Sequence, residues 1–313
     1  MHDLLATAFP VHGTASGPAL CCFRLILAAA LLWKITADHV YGMARFFDLH
    51  PKSLVRWRYE QDDMAVKVLL SPTAFKVFYA ARALAVLCLL AGVLTPLAAA
   101  VVAAWCMFEF TFDRKFNTLF LGMMCVPFVF ASGADAYLSL QSLLDAPSPA
   151  AFFDPARAPT GPSWPQAAAV VLMFQVYWSS AWFKAASRQF TSGDALQKMF
   201  EQLVSLRDEL PPGRREYYFP DWFTRRFATA DPALAARRWL LPSLVTIAVE
   251  AVLPLLLIFP ATWPAGALLG LLTHAAFTAL LPKRLVPFSL ASVGTYVLFL
   301  PQHTFVTLIG GLM

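Results

Sequence analysis

The chain has 313 residues, 59% of them hydrophobic and 14% charged, with mean hydropathy +0.61 and a formal net charge of +5. Soluble domains carry about 25% charged residues, so this chain is too poor in charge to cover a water-facing surface. Its basic residues sit between apolar segments and not in one patch, which excludes nucleic acid as the expected partner and leaves membrane lipid.

In chain order, the first apolar segment is 19–36. No Lys or Arg precedes Arg24, so this segment is expected to be a retained span, because a cleaved signal needs a basic start. Seven more follow at 74–94, 96–113, 117–133, 165–185, 240–260, 263–281 and 285–302. Each is close to the length that crosses a hydrocarbon core of about 30 Å. The polarity comes in blocks and does not alternate as barrel strands do. The expected fold class is therefore all-α: a polytopic integral membrane helical bundle with about eight transmembrane helices. The chain reads as one domain, 1–313, with its core at 19–302.

Three connections are long: 37–73, 134–164 and 186–239. Segments 52–70 and 194–209 have helical periodicity with mixed charge and are expected to be amphipathic surface helices. The stretch 146–165 is rich in proline and is expected to be irregular. The five cysteines (21, 22, 88, 106 and 125) fall inside the apolar segments, with no spacing that suggests a disulfide framework or a metal site.

Lys and Arg alternate sharply between the two sides of this arrangement. The odd connections carry 18 and the even connections and termini carry 1. The positive-inside rule then places the odd connections in the cytoplasm and both termini outside, in a bacterial inner membrane.

Ionisable residues inside the spans are costly and usually face a cavity or a partner. Arg24 lies near the face opposite the odd connections and reads as structural. Arg82, Glu109, Lys184 and His274 lie in the other half of the bilayer, Asn117 opens its span there, and Glu250 is mid-membrane. They are the candidate cavity residues, with Arg82 expected to pair with Glu109 or Glu250. Tyr177, Ser180 and Lys184 fall on one helical stripe. Lys184 has two readings: an anchor whose amine reaches the headgroups, or a desolvated amine of lowered basicity that serves as a base near neutral pH.

The run Tyr177-Trp-Ser-Ser-Ala-Trp-Phe-Lys184, followed by Phe190-Thr-Ser-Gly193, resembles an element of the vitamin K-dependent gamma-glutamyl carboxylases. It also resembles the wider horizontally transferred transmembrane (HTTM) family. The stretch from Asn117 to Gln141 is similar to a second family element. Glu250 with Pro254, Thr273-His274 and Phe288-Ser289 are similar to later ones. The likeness spans roughly 19–302. It differs at Thr118, where the carboxylases have His, at Gln141, where they have Asp, and at Phe190, where Trp is usual. No counterpart of the large C-terminal domain that grips the carboxylases' protein substrate follows before Met313.

The resemblance implies that Lys184 is the base that deprotonates reduced vitamin K or another quinol, with His274 near the cavity. By the same analogy the Lys184 face is extracytoplasmic, whereas the charge count makes it cytoplasmic. The expected function is a quinone- or peptide-modifying membrane enzyme acting on a peptide or small hydrophobic substrate. The alternative is a non-catalytic membrane component on the same scaffold, such as a peptide export, immunity or assembly factor.

Overall fold

The computed structural model describes residues 14–15, 17–40, 60–61, 63–64, 66–67, 71–113, 116–131, 133–155, 158, 161–162, 164–228, 232–259, 261–280, 283–300 and 307. These residues are almost wholly helical. The β pairing among them is one two-residue antiparallel bridge, Thr14–Ala15 against Gly161–Pro162. The chain divides into two compact units, 1–170 with 290–313, and 171–289.

The helices are α1 (Gly17–Val40), α2 (Pro72–Ala91), α3 (Thr95–Asp113), α4 (Phe116–Phe130), α5 (Leu140–Leu144), α6 (Pro149–Phe153) and α7 (Trp164–Ala186). They continue with α8 (Arg188–Thr191), α9 (Asp194–Asp208), α10 (Asp221–Phe227), α11 (Pro232–Ile258), α12 (Trp263–Leu280) and α13 (Val286–Gly294). Among the described residues, three segments are long and apolar enough to cross a membrane: Gly17–Ala37, Arg237–Ile258 and Trp263–Leu280. Thr95–Thr111, Phe116–Phe130 and Val286–Phe299 are apolar but shorter.

Two local expectations change. The proline-rich stretch 146–165 is not wholly irregular, because Ser148 caps α6 by accepting from Ala151 N–H, and Pro149 suits the first helical turn. The last apolar segment is not one α-helix. It tightens from α13 into a 3-10 helix at Thr295–Phe299, and 301–302 lie outside the described residues. Of the amphipathic helix expected at 52–70, only 60–61, 63–64 and 66–67 are described.

In the first unit, α2 starts where Ser71 Oγ accepts from Ala74 N–H, with Pro72 in the first turn. It stops at Gly92, which is left-handed at φ +66°. Gly92 N–H donates to Leu89 O at 3.3 Å and Val93 N–H donates to Cys88 O at 2.9 Å, which closes the helix end. Arg24, fully buried on α1, holds this end from outside. Its Nη1 donates to Leu89 O (2.7 Å) and Leu90 O (2.9 Å), and its Nη2 to Tyr137 O (3.3 Å) and Leu138 O (2.6 Å). The structural reading of Arg24 agrees with these bonds. Tyr137 in turn donates to Phe153 O at 2.7 Å, and burial pushes its phenol up to about 12, so it remains a donor at neutral pH.

A Cβ at Gly92 would stand 2.5 Å from Ser139 Cβ and 2.6 Å from Arg24 Nη1. Both the backbone angle and the space therefore require glycine. Gly92→Ala is expected to cost about 2–4 kcal/mol, combining an αL penalty with overpacking. Thermal unfolding in detergent checks this; an unchanged Tm contradicts the packing. Gly122 acts similarly between α4 and α3, where an added Cβ would meet Cys106 Cβ at 2.7 Å. Small residues at such crossings let helix backbones approach closely.

In the second unit, α9 is the amphipathic helix expected at 194–209. It buries Phe200, Leu203 and Arg207. Phe200 packs with Phe219, Phe223, Phe227 and Trp239, which ties α9 to α10 and the start of α11. Arg207 locks the intervening turn through Phe219 O at 3.3 Å and the Asp221 carboxylate.

Candidate functional site

The residues expected to share one cavity form two groups, one in each unit. Tyr177, Lys184, Glu250 and His274 belong to the second unit, and Arg82 and Glu109 belong to the first. Asn117 opens α4, half-buried, and hydrogen-bonds to none of them among the described residues.

The second-unit group is built on α7, α11 and α12. Tyr177 and Lys184 lie two turns apart on the expected stripe of α7, about 10.5 Å along its axis at 1.5 Å per residue. Lys184, in the last turn of α7, donates to Glu250 Oε1 and places its amine 5.3 Å from the Phe190 ring centroid. Its side chain is 25% exposed and that of Glu250 is 11% exposed. The pair is therefore largely enclosed by the protein.

The register of α7 against α11 is fixed beside this pair. Trp178 Nε1 donates to Ala251 O at 3.1 Å, one residue beyond Glu250. Pro254, four residues after Glu250, has no N–H to give the Glu250 carbonyl, so the helix ladder is broken at the carboxylate's own position. The sequence pattern Glu250…Pro254 thus has a local physical consequence.

Tyr177 Oη and His274 Nε2 are 2.6 Å apart and buried. His274 also meets the rings of Phe277 and Phe288, at 5.8 and 5.9 Å between centroids. A neutral imidazole has one donor and one acceptor nitrogen, so either Tyr177 or His274 donates in this bond. In both cases Nδ1 is left as a buried polar atom without a partner among the described residues. Glu250 Oε2 is left the same way. Each of the two pairs therefore presents one unspent polar atom.

In the first unit, Arg82 Nη1 donates to Glu109 Oε1 at 2.9 Å, as expected. Lys34 on α1 joins them, with Nζ 3.3 and 3.2 Å from the two Glu109 oxygens. Sequence reading passed over Lys34, although its place near the end of the first apolar segment was a usable signal. Trp178 and Phe190 were also missed as neighbours of the lysine site; an aromatic flanking a span reads first as packing. Among the described residues, no group of three or more His, Cys, Asp or Glu could hold a metal.

No family model, no curated protein and no solved structure matches this chain.

Proposed function

We propose that this chain is a multi-pass membrane enzyme of the HTTM type, in which Lys184 is a base acting on a quinol. The observation that carries the reading is the Lys184–Glu250 pair and the Tyr177–His274 pair, two turns of α7 apart, on three helices of one unit.

The membrane part rests on where the apolar side chains lie. Leu241, Leu244, Val245, Val252 and Leu255 on α11 are exposed, as are Leu268, Leu271 and Leu272 on α12. A helix that stays apolar on its outer face suits lipid, not water. The eight-span arrangement, with the basic connections in the cytoplasm and both termini outside, is the topology we propose.

The residues fit a small hydroxyl-bearing ring. Glu250 Oε2 can accept from a hydroxyl, and His274 Nδ1, on a ring that meets Phe277 and Phe288, is a second unspent polar atom. A quinol supplies an acidic phenolic hydroxyl and two electrons, and oxygen is the oxidant that accepts them. Lys184 Nζ, after passing its own proton to Glu250 Oε1, takes the proton from that hydroxyl, so the pair ends with one proton more and the quinol is left as its phenolate. Glu250 positions the amine, and Tyr177 orients His274. Low local dielectric strengthens each of these contacts.

The test is consumption of reduced quinones under oxygen by the purified protein in nanodiscs, followed by absorbance. Wild type should oxidise the quinol, and Tyr177→Phe should retain part of that rate, losing on the order of 10-fold. Absence of oxidation by folded wild type contradicts the proposal and favours a non-catalytic scaffold.

A further inference from the structure

We propose that the first unit carries a separate oxyanion-binding site, built on Arg82 and Trp105, that takes a phosphate or carboxylate group. It does not depend on the Lys184 reading.

Arg82 lies on α2, and Trp105 and Glu109 lie four residues apart on one face of α3. The Arg82 guanidinium sits against two aromatic faces, 5.7 Å from the Tyr79 ring centroid and 5.4 Å from that of Trp105. Its side chain is only 9% exposed. Glu109 takes Nη1. The other edge of the guanidinium, formed by Nε and Nη2, is the fork that grips oxyanions side-on. On that edge Nε is buried without a partner among the described residues, and Trp105 Nε1 is in the same condition.

Guanidinium and indole N–H groups can only donate. Two touching side chains thus hold unspent buried donors, one on a cation. A partner for both must bring acceptors, and it gains most if it is also negative. That is the chemistry of an oxyanion. Leaving such donors unmet is costly in a buried setting. Nearby Lys34 and Arg82 converge on the Glu109 carboxylate, so two cations share one negative charge and the group keeps a net positive charge. A lipid phosphate and a soluble anion share this chemistry.

The experiment separates the two sources. Protein in phosphatidylcholine nanodiscs is titrated with inorganic phosphate by calorimetry. In parallel, protein in nanodiscs containing phosphatidylglycerol is released and weighed by native mass spectrometry for retained anionic lipid. Saturable phosphate binding identifies a soluble ligand. Selective retention of phosphatidylglycerol identifies a headgroup. Trp105→Phe keeps the ring against Arg82 and removes one donor, so it should weaken whichever binding is seen by about 5- to 10-fold. Arg82→Lys keeps the charge and loses the fork, and should weaken it by at least ~10-fold. Binding of neither oxyanion, or binding unchanged in Trp105→Phe, overturns the proposal.

Discussion

Arg24→Met is expected to lower the stability of the first unit by about 3–5 kcal/mol through unmet buried carbonyls, a large part of a typical total of about 5–15 kcal/mol. The cause is specific. One buried guanidinium donates to four backbone carbonyls, two at the end of α2 and two in the turn at Tyr137–Leu138. Methionine matches much of the length but leaves the carbonyls of that turn without the donor. Arg24→Lys should recover only part of the loss, since one amine has three donors and no planar fork. Thermal unfolding, followed by near-UV circular dichroism in detergent, measures both. A wild-type Tm for Arg24→Met would mean that the guanidinium bonds do not hold the helix end.

Lys184→Met and the double variant Lys184→Met/Glu250→Met should behave oppositely in stability. The single change leaves a carboxylate with 11% exposure and no partner for either oxygen among the described residues. Breaking a buried pair this way costs about 3–5 kcal/mol, and the 25% exposure of Lys184 argues for the lower end. Removing both charges leaves an apolar contact, and such replacements are often neutral or stabilising by about 1–4 kcal/mol. Both variants should lose quinol oxidation. Chemical denaturation checks the first half. If the double variant is as destabilised as the single, the pair is a structural support and not a site kept for chemistry.

How much was legible follows from the kind of signal. Most of the described residues in the eight apolar segments are helical, because long runs with few charges and few turn residues favour one continuous element. The amphipathic α9 was readable from its periodicity alone. The short capped helix α6 was hidden by prolines, which read as breakers although Pro149 sits where a helix tolerates it. The candidate site was legible as residue types: Tyr177, Lys184, Glu250 and His274 stood out by charge and depth. Their pairing was not, because α7 is far in sequence from α11 and α12 and only packing joins it to them. Arg82 and Glu109 stood out equally, yet the fold groups them with Lys34 in the other unit. The uncommitted Arg82 and Trp105 donors could not be seen without coordinates, since a missing hydrogen bond leaves no mark on a sequence.

The measurement that bears most directly on the proposed chemistry is formation of the vitamin K epoxide by purified protein in nanodiscs supplied with reduced vitamin K and oxygen. Wild type is set against Lys184→Met/Glu250→Met, whose expected stability separates chemistry from folding. The proposal predicts epoxide from wild type and none above background from the folded double variant. Equal epoxide from both, or none from folded wild type, would contradict Lys184 as the base.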